Sequence, residues 1–203
     1  MSTIAVVRPE SDPVERSLST WATLLLGSMK GAKGVSTTDL KGVAVTRKSV
    51  VNAVTGKDAT LFFCHGTKTR LGHPTALVDT SNVSCLKGSV VVAFSCLAGD
   101  QLGRDAVANG ASAFLGFDDL LTNYVKQPSL FGQDVERAAR GLVLSGKTVG
   151  NTRASLDQHF KQVEKDYRTG GPKSGHPDAT VIWMAAHINW RGLVVRGKGS
   201  ATV

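Results

Sequence analysis

A chain of 203 residues, 41% apolar and 20% charged with a net charge of +8, is long enough for one domain with a substantial core and short for two. Usage this ordinary excludes a disordered chain, and no apolar run approaches the roughly eighteen residues that cross a bilayer. The opening MSTIAVVRPE lacks the basic-then-apolar order of a secretion signal, so a cytoplasmic protein is expected.

Thr3 to Val7 predicts a first strand, broken by Pro9 to Pro13. From Val14 to Met29 the apolar residues Leu18, Trp21, Ala22, Leu24 and Leu25 recur near helical spacing, and Gly31 and Gly34 end the pattern. Gly42 to Thr46 reads as a strand and Arg47 to Val54 as a two-turn helix stopped by Gly56. Thr60 to Cys64 is a continuous apolar run followed at once by His65 and Gly66, the pattern of a buried parallel strand. Ser89 to Phe94 repeats it and leads into Ser95-Cys96-Leu97-Ala98-Gly99. Leu102 to Asn109 has helical spacing with Gly110 as its stop, and a third buried strand, Ser112 to Phe117, carries Asp118 and Asp119 at its end. Beyond Pro128, Leu130 to Leu144 and Thr148 to Tyr167 predict two amphipathic helices separated by Gly146. A loop from Thr169 to Pro177 leads to a buried helix over Ala179 to Ala186 and a last strand near Leu193 to Val195. Residues 1–196 read as a single domain and 197–203 as a mobile tail. Alternation of this kind predicts an α/β/α sandwich with a central, mainly parallel sheet. Three strands deliver reactive side chains at their carboxyl ends, the edge where open α/β sheets bind ligands.

Cys96 stands between a buried strand and a helix start, where backbone N–H groups and the helix dipole favour a thiolate. The small residues Ala98 and Gly99 leave room for a substrate backbone, and His65 comes within reach if its strand is the neighbour. Cys64 and Cys85 read as core residues, and three scattered cysteines form no disulfide framework. His73, His159, His176 and His187 have no partner pattern. Zinc is disfavoured because no close-spaced ligand pair exists, and neither a phosphate loop nor a Gly-x-Ser-x-Gly turn is present. Lys30, Lys33, Lys41, Arg47, Lys48 and Lys57 are spread through turns and element ends without interleaved aromatics, so no dedicated nucleic-acid surface is expected. A basic nucleic-acid-binding domain remains an alternative, with affinity that falls steeply as salt rises.

Leu61-Phe62-Phe63-Cys64-His65-Gly66, then Val90 to Gly99, then Gly110 to Asp119, resemble the caspase-like cysteine peptidases, the group of caspases, gingipains, separase and the bacterial CHAT-domain proteases. The resemblance covers roughly residues 40–196, and a small hairpin over Ala76 to Asn82 would fit its CHAT-like members. It implies a caspase-like sandwich and an endopeptidase in which Cys96 attacks the peptide carbonyl and His65 passes a proton to the leaving amine. The N–H groups of Gly66 and Cys96 would hold the oxyanion. Asp118 or Asp119 matches the acidic position that faces a basic side chain before the scissile bond, so cleavage after Arg or Lys is expected; the alternative is that the pair caps a following helix. No cofactor is implied, although some metacaspases use calcium. A protein substrate and, by analogy with bacterial defence systems, an upstream activating protease or regulator are the implied partners. The same cleft in a catalytically silent relative would instead bind a partner protein.

Overall fold

The structure is a computed structural model that describes residues 1–203. The first strand, β1 (Ser2–Arg8), is followed by Asp12, which caps the helix α1 (Pro13–Met29): its carboxylate accepts from the Glu15 N–H at 2.9 Å, and Pro13 takes the first helical position. Next comes β2 (Val35–Lys41), then a single 3-10 turn at Gly42–Ala44, and α2 (Arg47–Val54), opened by a capping box between Thr46 and Ser49. β3 (Ala59–Phe63) is buried at all five positions. After it, β4 (Gly66–Thr67), β5 (Arg70–Leu71) and β6 (Val78–Asp79) make a small antiparallel sheet. β7 (Val90–Phe94), α3 (Gln101–Ala108) and β8 (Ala113–Phe117) follow. The chain finishes with α4 (Ser129–Ser145), α5 (Val149–Tyr167), α6 (Ala179–Gly192) and β9 (Leu193–Gly197).

The main sheet runs in the order β2-β1-β3-β7-β8-β9, with the first five strands parallel and β9 antiparallel to β8. Because side chains alternate across a strand, each central strand feeds two cores. Leu61, Phe63, Val92 and Phe94 meet α1, α4, α5 and α6 on one face, in a cluster of 34 buried residues. Phe62, Val91, Ala93 and Phe114 meet α2 and α3 on the other, in a cluster of 18. The expected three-layer α/β/α sandwich is therefore present, with its heavier layer on the α1 side. No helix is long and apolar enough to cross a membrane.

Four expectations change. The strand expected at 42–46 lies earlier, at Val35–Lys41, where only Val35 and Leu40 are apolar, as suits an edge strand with one face open to water. Of the hairpin expected over 76–82, only Val78–Asp79 is strand, and it pairs with Arg70–Leu71; Ser81 and Asn82 instead fold onto Asp79 through hydrogen bonds of 2.9 and 2.8 Å. No helix follows Asp119 until Ser129, so the acidic pair does not cap one. The segment read as a tail makes backbone contacts: the Val149 and Gly150 N–H groups, orphans of the first turn of α5, donate to the carbonyls of Ala201 and Gly199 at 2.9 and 2.8 Å.

Candidate active site

β3 and β7 are adjacent and in register, Phe63 opposite Phe94. His65 and Cys96 each lie two residues beyond that pair, so the alternation that sends Phe63 and Phe94 into the α1-side core carries both side chains to the same face. Cys96 packs at the margin of that core and is half-buried, as is His65. Gly66 is required between them: a Cβ there would lie 2.1 Å from Ser95 Oγ and 2.8 Å from the Cys96 carbonyl oxygen. That close approach is what draws the two strand tips together. The chain then turns sharply through Leu97, whose φ of 58° is left-handed. The helix expected directly after Cys96 begins only at Gln101 and buries Leu102 and Ala106 on the opposite face, so sequence adjacency does not seat its N-terminus at the sulfur.

The sulfur meets the backbone of Leu121. The Leu121 N–H donates to Cys96 Sγ at 3.4 Å, and the thiol faces the Leu121 carbonyl at 3.6 Å. The segment that carries Leu121 is pinned. Asn189 is fully buried and bonds both the N–H and the carbonyl of Thr122, at 2.7 and 2.9 Å. The Tyr124 hydroxyl donates to Asp178, and Trp21 Nε1 donates to the Pro128 carbonyl at 2.8 Å. The Cys96 N–H, by contrast, donates to no protein acceptor.

His65 has a partner that the sequence reading missed. Its Nε2 lies 2.6 Å from Asp12 Oδ2, across 53 residues of sequence. Asp12 was passed over as part of the break between Pro9 and Pro13, although Asp-Pro-x-Glu is a helix-start signal. The two carboxylate oxygens divide the work: Oδ1 caps α1 and Oδ2 holds the imidazole. Burial acts to raise the Asp12 carboxyl, but hydrogen bonds from the Glu15 N–H and from His65 outweigh it and hold the group below the ordinary carboxylate value. With Nε2 engaged, Nδ1 is the ring nitrogen left without a protein partner. Glu15 in turn fixes the loop beneath Asp12, its Oε2 accepting from the Ser11 N–H at 3.0 Å and from the Ser11 hydroxyl at 2.5 Å.

The two aspartates at the end of β8 separate. Asp118 Oδ2 pairs with Arg196 of β9 at 3.4 Å. Asp119 is exposed and makes no ion pair; its Oδ1 accepts from the Leu120 N–H, and its carbonyl accepts from the Leu97 N–H at 2.9 Å. Asp119 is thereby tied to the turn that follows Cys96. Exposed Leu120 and Val125 stand on the same segment.

Cys64 faces the opposite core and is fully buried; burial first, then the nearby Glu15 carboxylate, push its thiol up to about 12. Cys85 is half-buried, and burial raises it as well. No group of three or more His, Cys, Asp or Glu side chains is arranged to hold a metal ion. His159 pairs with Asp134 and His187 with Glu164 in the α4–α6 layer.

No family model and no curated protein matches the chain. Among solved structures it is similar to a secreted C11 cysteine protease from Bacteroides thetaiotaomicron, determined in complex with an irreversible peptide inhibitor, at a TM-score of 0.45 and 10% identity. The alignment covers 68% of this chain and 53% of that one, so the chain spans about half the length of that protease.

Proposed function

We propose that the chain is a cysteine endopeptidase of the caspase-like group, with Cys96 as nucleophile, His65 as acid/base and Asp12 as the residue that orients His65. The observation that carries the reading is the in-register placement of His65 and Cys96 at neighbouring strand tips on one face, with Asp12 on the Nε2 of the imidazole. In this scheme Cys96 Sγ bonds to the scissile carbonyl carbon while His65 receives the thiol proton. The carbonyl oxygen takes the negative charge and is held by the N–H groups of Gly66 and Cys96, donors commonly worth about 2.7–4 kcal/mol each in such sites. His65 returns its proton to the amine as the C–N bond breaks, leaving a thioester. Water, deprotonated by His65, then bonds to the thioester carbon; the C–S bond breaks, the sulfur takes the proton back from His65, and the acid is released. Asp12 stabilises the imidazolium that forms in both halves and fixes which nitrogen carries the proton.

Asp119 is the group assigned to the side chain before the scissile bond, because Asp118 is engaged by Arg196 and Asp119 is not paired. Arg or Lys is the matching side chain. A polypeptide is the partner this reading requires, and an upstream protease or regulator its trigger.

The test uses short peptides with Arg, Lys or Asp before an aminocoumarin leaving group, presented to the parent chain and to Cys96→Ala. Release by the parent alone, with Arg or Lys preferred, is expected. Preference for Asp would overturn the assignment of Asp119 and leave the class standing. Absence of turnover together with absence of an adduct on Cys96 from an irreversible peptide inhibitor, read by intact mass, would remove the peptidase reading.

A further inference from the structure

A cavity of about 450 Å³ opens on the side of His65 away from Cys96, at the carboxyl ends of β1 and β2. Its walls come from three loops: Pro9 to Ser11 with Glu15, Gly42 to Val45, and Gly72 to Leu77. His73 lines it and lies edge-on to the His65 ring at a centroid distance of 6.1 Å, so the cavity adjoins the catalytic histidine. That volume is within the range of small-ligand sites.

Its charge is unusual for this protein. The chain as a whole carries +8, yet no lysine or arginine lines the cavity, and its fixed charges are the carboxylates of Glu10 and Glu15. Glu10 is partly offset by Lys41 at 3.5 Å. Glu15 has no cationic side chain against it: it is fully buried in the first turn of α1, where the helix dipole offsets only part of its charge, its Oε2 is bound by Ser11, and its Oε1 has no partner at all. Buried carboxylates are ordinarily paired or fully hydrogen-bonded, because desolvating an uncompensated charge costs several kcal/mol. A counter-charge brought by a ligand satisfies both that deficit and the shape, since Pro9, Val43, Val45, Pro74 and Leu77 offer apolar wall for an alkyl stem.

The order of strands supplies the direction. Across the sheet edge the order is Asp119 on β8, Cys96 on β7, His65 on β3, and then the cavity beyond β1. A peptide whose carbonyl carbon sits at Cys96 and whose leaving amine sits at His65 runs from Asp119 toward the cavity. From β7 to β1 is two strand spacings, about 10 Å, which an extended peptide covers in about three residues.

We propose that this cavity is a subsite for a lysine or arginine side chain two or three residues after the scissile bond, with Glu15 and Glu10 as its counter-charge. The assignment rests on the peptidase reading for its direction, and the experiment separates the two. Cys96→Ala protein, which cannot turn over, is titrated with fluorescently labelled peptides that share an Arg before the scissile bond and carry either Lys or Ala at the second and third positions after it. The lysine peptide is expected to bind about tenfold more tightly at low salt. Adding Val43→Lys, a change at a fully exposed position on the cavity wall, or Glu15→Gln, which keeps an acceptor for Ser11, is expected to reduce that preference to less than threefold. Equal binding of the two peptides, binding of neither, or a lysine preference untouched by both substitutions overturns the subsite. Aminocoumarin release by the parent reports on the peptidase reading alone, since that substrate ends at the scissile bond.

Discussion

At the scale of single residues, Asp12 links the start of a helix to the imidazole at a strand tip. Asn caps a helix about as well as Asp, so Asp12→Asn removes the charge facing His65 while the bond from the Glu15 N–H survives. The expected result is a melting temperature lowered by only about 1–4 °C, from loss of the pairing with His65, with kcat lowered by about a hundredfold or more, toward the roughly 10⁴-fold seen when the acid of a triad becomes an amide. A larger fall in melting temperature would instead make Asp12 a structural cap only. The three thiols give a second outcome: with iodoacetamide at pH 8, peptide mapping of the folded protein is expected to find Cys96 alkylated first, Cys85 slowly and Cys64 not at all, because burial holds the last near 12. The placement of His65 and Cys96 at neighbouring strand ends was legible in the sequence because each stands at the end of an apolar run, with Gly66 after the first and Ala98 and Gly99 soon after the second. Asp12 was not, since its meeting with His65 spans 53 residues and exists only once α1 has docked on the sheet.

At the scale of elements, α1 and α4 approach each other where Gly132 faces Trp21. A Cβ on Gly132 would stand 2.6 Å from Trp21 Cδ1, and Trp21 is fully buried with its indole N–H committed to Pro128. Gly132→Val is expected to cost about 1–3 kcal/mol, lowering the melting temperature by about 2–12 °C in a domain of this size. Gly27 makes the opposite case within α1: a Cβ there meets nothing within 4 Å, so Gly27→Ala is expected to stabilise by about 0.5–1 kcal/mol. Thermal melts of the two variants side by side check both signs. The long helices were readable from their periodicity and the three buried strands from their continuous apolar runs. β2 was not, because Val-Ser-Thr-Thr-Asp-Leu-Lys alternates poorly and owes its strand state to pairing along all of β1. Gly42, left-handed at φ 57°, ends that strand and begins the turn that had been read as the strand itself.

At the scale of the whole molecule, stability follows protons. Glu10, Asp12, Asp58, Asp79 and Asp178 are all held below their ordinary values; the largest lowering contributions come from Ser19 for Glu10, the Thr3 N–H for Asp58, Arg47 for Asp79 and Tyr124 for Asp178. A carboxyl whose folded value is depressed binds fewer protons in the native state, so its contribution is complete above the unfolded value of about 4 and disappears as pH falls below it. His159 adds a loss that starts higher: burial lowers its folded value despite Asp134, so protonation favours unfolding from about pH 6.5 downward. Melting temperature is therefore expected to decline gently below pH 6.5 and steeply below pH 4, with His159→Gln flattening only the first part. A curve that rises as pH falls would contradict the assignment. The layered architecture was predictable because composition and alternation bear on the whole chain at once, whereas the bond from the Val149 N–H to Ala201 joins residues whose sequence carries no sign of each other.

The peptide group of Leu121 resting on the Cys96 sulfur also gives this protein a built-in spectroscopic gauge. Acylating or alkylating that atom weakens the acceptor opposite one particular amide proton and removes the thiol proton that faces the Leu121 carbonyl. In a nitrogen-15 correlation spectrum the Leu121 cross-peak should therefore shift on modification, together with that of Thr122 next to it, while amides on the α2 and α3 side keep their positions.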